Sequence, residues 1–157
     1  MQLTPWAMAQ RYAHFHASCR TRMRPRTFAV SIGGYLGTFY SVEFKRGSLL
    51  YTCWRDRIGE KYRVTPSRAV WARFWRRLDE IGFWSWGGAY NTPRIFDGTS
   101  WSVEVAAGLQ YMRAHGCNAY PPRPSGRDER RVPHEMTPEF AKFCEAISDL
   151  LGGHAFG

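Results

Sequence analysis

The feature that most constrains this chain is a series of short alternating segments between residues 27 and 64, broken by turn residues. "TFYSVEFK" (38–45) sets Phe39, Ser41 and Glu43 against Tyr40, Val42 and Phe44. A period of two places successive side chains on opposite faces of a strand. Arg46-Gly47-Ser48 reads as a tight turn, and "LLYTCWR" (49–55) returns as the second arm of a hairpin. "TFAVSI" (27–32) precedes this pair as a strand ending at Gly33-Gly34, and "DRIGE" (56–60) turns the chain into "KYRV" (61–64). Together these four strands predict an antiparallel meander. "WSVEVA" (101–106) and "LQYMRA" (109–114) predict a further hairpin around Ala107-Gly108.

Helical signals flank the strands. Thr4-Pro5, Thr65-Pro66 and Thr137-Pro138 each precede apolar residues at helical spacing. A threonine hydroxyl can cap the first turn, and proline suits the position after it because its missing N–H would be unpaired there. Trp6, Ala9, Tyr12 or Ala13, and His16 mark the first face; Val70, Trp71, Phe74, Leu78 and Ile81 the second; Phe140, Phe143, Cys144, Ile147, Leu150 and Leu151 the third. Gly82 and Gly152 stand where left-handed C-caps are expected. Thr92-Pro93 lacks a periodic sequel and reads as loop. The expected fold is therefore α+β: an antiparallel β-sheet, meander plus hairpin, packed on one face by two or three α-helices. At 157 residues it fits a single domain, with an N-terminal helix and basic linker over 1–25 and the core over 26–153. The stretch "YPPRPSGRDERRVPHE" (120–135) reads as a long exposed loop.

No apolar run approaches the roughly 20 residues of a membrane span. The first 20 residues lack the apolar core of a signal peptide, so a cytoplasmic protein without a membrane partner is expected. Cys19, Cys53, Cys117 and Cys144 form no C-x-x-C pair and read as reduced thiols. No metal site and no cofactor are expected. "SIGGYLGTF" (31–39) lacks the Gly-Lys-Ser/Thr of a phosphate-binding loop and reads as a glycine-rich turn or bulge.

Charge is the clearest functional signal. The net charge is +9, but residues 1–77 hold 15 Lys+Arg against 3 Asp+Glu, whereas residues 78–157 hold 7 against 10. Arginine dominates, and its planar fork pairs with phosphate or carboxylate and stacks on rings. Arg20, Arg22, Arg24 and Arg26 fall on one side of an extended segment; with Arg73, Arg76 and Arg77 they are the expected contacts for an anionic partner. No helix-turn-helix, RNP or zinc-finger signature accompanies them.

A second cluster gathers at one end of the predicted hairpin. "DGTSW" (97–101) and "HGCNAYP" (115–121) bring Asp97, Trp101, His115, Asn118 and Tyr120 near one another, with Trp84, Trp86 and Tyr90 from "FWSWGGAY" (83–90). These eight residues are a candidate ligand cleft; the alternative is a structural corner of the sheet, with inward core packing the default for Trp84 and Trp86. A catalytic set of Cys117, His115 and Asn118 is disfavoured, because neighbours on an extended strand do not converge on one reacting atom. The motifs from "VWARFWRRLDEIGFWSW" to "HGCNAYP" and the closing "LLGG" resemble a family of small bacterial proteins without an established activity. The resemblance covers about residues 66–153 and implies a shared fold and a shared arrangement of Trp84, Trp86, Tyr90, Asp97, Trp101, Asn118 and Tyr120. Cys117 departs from it, standing where a smaller polar residue is expected.

Three functions follow, in order. The first is a non-catalytic binding protein whose Arg-rich half engages a nucleic acid or an acidic protein face. The second is a protein-interaction module of a bacterial conflict system, such as an immunity protein or an accessory of a defence complex. The third is an enzyme acting near Asp97, His115 and Asn118. The sequence does not specify the oligomeric state.

Overall fold

The computed structural model describes residues 24–34, 37–56, 58–91, 98–123 and 135–157. Four strands open the described chain: β1 (Thr27–Gly34), β2 (Phe39–Lys45), β3 (Ser48–Arg55) and β4 (Ile58–Val64). Helix α1 (Arg68–Glu80) and a short 3-10 turn (Phe83–Ser85) follow, then β5 (Gly88–Asn91), β6 (Thr99–Ala107), β7 (Gln110–Cys117) and helix α2 (Pro138–Leu150). The strands form one seven-stranded sheet in the order β4-β3-β2-β1-β6-β7-β5. The meander and the hairpin are thus a single sheet, joined where β1 pairs antiparallel with β6.

The α+β class matches expectation, but the sheet is mixed. β5 runs parallel to β7, so a purely antiparallel sheet is corrected. Only Gly88-Ala89-Tyr90-Asn91 makes this strand, and four residues with one inward ring leave too short an alternation to read. "DRIGE" is corrected too: Arg55 pairs with Ile58, so residues 58–60 already belong to β4. In the β2–β3 turn Arg46 and Gly47 have φ 53° and 84°. Two positive φ values give the turn whose twist matches the flanking strands, and glycine adopts this at no steric cost.

Helix ends follow local chemistry. Thr137 Oγ1 accepts from the Phe140 N–H at 3.2 Å, with Pro138 in the first turn. In α1 the cap is Ser67, whose Oγ accepts from Val70 N, rather than Thr65; the Thr65 hydroxyl instead bonds Ser48 Oγ at 2.8 Å. Gly82 and Gly152 take the left-handed conformation, φ 69° and 73°. The helix expected near Thr4-Pro5 and most of the loop 120–135 lie outside the described residues.

Both helices pack on the same face of the sheet. Phe28, Val30, Ile32, Val42, Leu49, Trp101, Val103, Val105 and Met112 point into it and are buried. Trp71 and Phe74 of α1 meet Phe28 edge-on at 6.0 and 5.7 Å, and Phe140 of α2 meets Trp101 at 4.9 Å. Each such side chain contributes roughly 1.5–3 kcal/mol on burial. The last residues close the same face: Phe156 is buried, and Tyr51 donates its hydroxyl proton to the Ala155 carbonyl at 2.8 Å.

Candidate nucleic-acid interface

The opposite face of the sheet is polar, and its side chains follow from the register. Lys61, Thr52, Ser41, Ser31, Ser102 and His115 are successive cross-strand neighbours from β4 to β7. Ser31 and Ser102 share a hydrogen bond at 2.8 Å. Thr52 is 92% buried among its neighbours (8% exposed). One row away on the same face lie Gly59, Trp54, Phe39, Gly33, Ser100 and Cys117; on the other side lie Arg63, Leu50, Glu43, Ala29, Glu104 and Arg113.

Trp54, Phe39 and Tyr111 are the large exposed rings of this face, 46%, 40% and 56% exposed. Trp54 and Phe39 each stand opposite a glycine across the strand pair, and Tyr111 stands opposite Ala106. A Cβ on Gly59 would meet three atoms of the Trp54 six-membered ring, all at 3.0 Å. Equal distances mean that the ring lies flat on the glycine, its other face turned outward. A Cβ on Gly33 would meet one atom of the Phe39 ring at 2.8 Å, but the Phe39 Cα and the Thr38 carbonyl oxygen stand as close, at 2.7 and 2.8 Å. The Trp54 ring, flat over glycine backbone and open on one side, is a stacking surface.

Lys61 stands one row from Trp54, while Arg63 and Arg113 lie in the row beyond, Arg113 four strands from Trp54. Lys61, Arg63 and Arg113 are exposed on this face, and none has an ion-pair partner among the described residues. Its two acids are engaged: Glu43 pairs with Lys45, and Glu104 accepts from the Tyr111 hydroxyl at 3.3 Å. The alternation of "TFYSVEFK" and "LLYTCWR" already sets Phe39 and Trp54 on the polar side of their strands. That was the available signal for two residues that sequence reasoning passed over.

The expected arginine contacts do not form one patch. Arg73 and Arg76 are exposed on the outer side of α1, across the molecule from the open sheet face. Arg77 is held by α2, donating to Asp149 and lying 3.7 Å from Glu145. Arg26 donates to the Gly108 carbonyl at 2.6 Å, and Arg24 reaches over the β2–β3 turn at Gly47. Arg20 and Arg22 lie outside the described residues.

The expected cleft is largely core. Trp86, Tyr90, Trp101 and Tyr120 are 1%, 7%, 3% and 7% exposed. Trp84 is half-buried, and its indole N–H donates to Asp79 at 2.8 Å. Asn118, at φ 51°, accepts from the Thr99 N–H at 3.0 Å, while its own N–H donates to the Thr99 carbonyl. Trp101 Nε1 donates to the Ala119 carbonyl at 2.9 Å. The Asn118 corner therefore ties two strand ends together. His115 sits on the open face and Asn118 is buried beyond the strand end, so the two do not converge; Asp97 lies outside the described residues.

A cavity of about 440 Å³ opens on the helix side of the sheet, at its β4 edge. Tyr51, Cys53, Glu60, Tyr62 and His154 line it, with Arg55 and Ile58 at its rim. The His154 ring stacks on Tyr62 at 4.5 Å and on Tyr51 at 5.3 Å. Burial, with Cys53 alongside, pushes the Tyr51 hydroxyl well above the usual tyrosine range. The Tyr62 hydroxyl is raised by its hydrogen bond to Glu60. No group of three metal-binding side chains occurs among the described residues. No helix there is long and apolar enough to cross a membrane.

No family model matches the chain, and no curated protein matches it. The resemblance of residues 66–153 to small bacterial proteins rests on its motifs alone.

Proposed function

We propose that this chain is a non-catalytic binding protein that engages an anionic partner through the open face of its sheet. One observation carries the reading: the face that exposes the Trp54 and Phe39 rings also exposes Lys61, Arg63 and Arg113, which have no ion-pair partner among the described residues. Guanidinium and ammonium groups attract a polyanion, and exposed rings add contact area that a purely electrostatic patch lacks. The first half of the chain supplies most of this surface, in keeping with its charge excess. Nucleic acid fits both components; an acidic protein face fits the charge.

Two charge reversals on opposite sides of the molecule test the reading. Binding of a fluorescein-labelled mixed-sequence oligonucleotide, followed by anisotropy, should weaken steeply between 50 and 200 mM salt. Lys61→Glu with Arg63→Glu should weaken it at least tenfold. Arg73→Glu with Arg76→Glu, on the outer side of α1, should change it less than threefold. The reverse ranking moves the interface to the helix, and no binding at 25 mM salt removes the reading.

A second reading, a protein-interaction module, draws on the β4 edge. There Ile58 and Tyr62, 69% and 41% exposed, border the tyrosine-lined cavity. Edge strands accept added strands from partners. A stable protein partner that co-purifies after nuclease treatment, and is lost in Tyr62→Lys, would favour it.

A further inference from the structure

Resting on the proposal that the open face binds a polyanion, we infer that the polyanion is single-stranded nucleic acid, with bases laid on Trp54 and Phe39. The Trp54 ring lies flat on Gly59, and Phe39, its cross-strand partner, is 40% exposed on the same face. In a duplex the base faces are covered by their stacked neighbours, so such platforms can serve only unpaired bases.

The remaining groups suit the backbone of such a chain. The Thr52, Ser41, Ser31 and Ser102 row runs beside the rings, perpendicular to the strands. The Thr52 side-chain hydroxyl makes no hydrogen bond among the described residues, although Thr52 is 8% exposed and turned to this face. Its hydroxyl is available to a phosphate or sugar oxygen. Lys61 continues the row at the β4 edge, diagonal to Trp54, and Arg63 lies two residues further from Trp54 along β4. No base-edge reading is built in: serine and threonine hydroxyls accept and donate alike, so the binding is tolerant of sequence.

Anisotropy titrations with fluorescein-labelled dT20, rU20 and a 20-base-pair duplex test this. The full chain should bind the single strands at least tenfold more tightly than the duplex at equal salt. Trp54→Ala should weaken dT20 binding five- to a hundredfold, the range of one lost base–ring stack, and leave the salt slope unchanged. Trp54→Phe, which keeps a ring on Gly59, should retain most of the affinity, showing that the loss in Trp54→Ala is not misfolding. Lys61→Ala with Arg63→Ala should instead lower the salt slope by about 1.4. Equal affinity for duplex and single strands, with Trp54→Ala neutral, overturns the single-strand inference and leaves the anionic reading standing. Failure of all three probes to bind at 25 mM salt overturns both.

Discussion

At the scale of the residue, the stretch that most invites a chemical reading turns out to be a joint. Asn118 holds the Thr99 backbone by both its side chain and its amide, in a left-handed conformation that asparagine tolerates better than most residues. A Cβ on Gly98 would overlap the Asn118 side chain. Gly98→Ala should therefore destabilise the fold by about 2 kcal/mol or more, measured by urea denaturation, because the joint must open to admit one methyl group. Asn118→Ala loses the bond to Thr99 and strains the backbone, and about 1–3 kcal/mol is expected. Asn118→Gly keeps the conformation and should cost less than Asn118→Ala. Equal losses would show that backbone conformation plays no part. The turn chemistry of Asn118 was legible in the sequence. The burial of its side chain was not, since that depends on where β7 ends against β6.

At the scale of the element, β4 and α1 show how one local pattern serves different ends. β4 pairs on one side only among the described residues and is exposed almost throughout, so its stability comes from β3 and from the Trp54 ring on Gly59. Gly59→Val should displace that ring. A changed tryptophan emission with a global stability loss under about 1 kcal/mol is expected, because the site lies at a sheet edge. In α1 the buried side presents Trp71, Phe74, Trp75 and Leu78, and Leu78→Ala should cost about 2–5 kcal/mol. Arg77 looks equivalent to Arg73 and Arg76 in the sequence, yet it alone of the three faces the α2 acids. Its partners are well exposed, so Arg77→Ala should cost at most about 1 kcal/mol by thermal unfolding.

At the scale of the whole molecule, the packed face governs stability and the open face governs encounter. Burial pushes the Cys144 thiol up from 9.0 to about 12, and the Tyr51 and Tyr120 hydroxyls rise for the same first cause. An acid whose folded pKa is raised stays protonated in the native state while the unfolded chain ionises. Stability is then lost as pH climbs above the unfolded value, at up to about 1.4 kcal/mol per pH unit for each proton. The melting temperature should accordingly hold up to about pH 9 and fall beyond it. Cys144→Ala should soften that fall even if it lowers the starting value, and an unchanged slope would exclude the thiol as a source. Charge is distributed differently from what its sequence clustering suggests. Arg63 and Arg73 are ten residues apart yet occupy opposite sides of the molecule, because a strand's outer face and a covering helix's outer face point away from each other.

The sequence by itself determined the α+β class, the meander from β1 to β4, the second hairpin, the Thr137 cap and the glycine-ended helices. Each is decided by a few adjacent residues: a period of two or of 3.6, a hydroxyl before a first turn, a glycine at positive φ. Only the tertiary structure decided that meander and hairpin share one sheet through β1 and β6, that Gly88–Asn91 adds a parallel strand, and that Trp86, Tyr90, Trp101 and Tyr120 fill the core. It also decided that the Trp54 ring lies flat on Gly59 of the neighbouring strand. Those outcomes are set by which strands become neighbours across tens of residues, and register between distant segments leaves no mark in the spacing of either one.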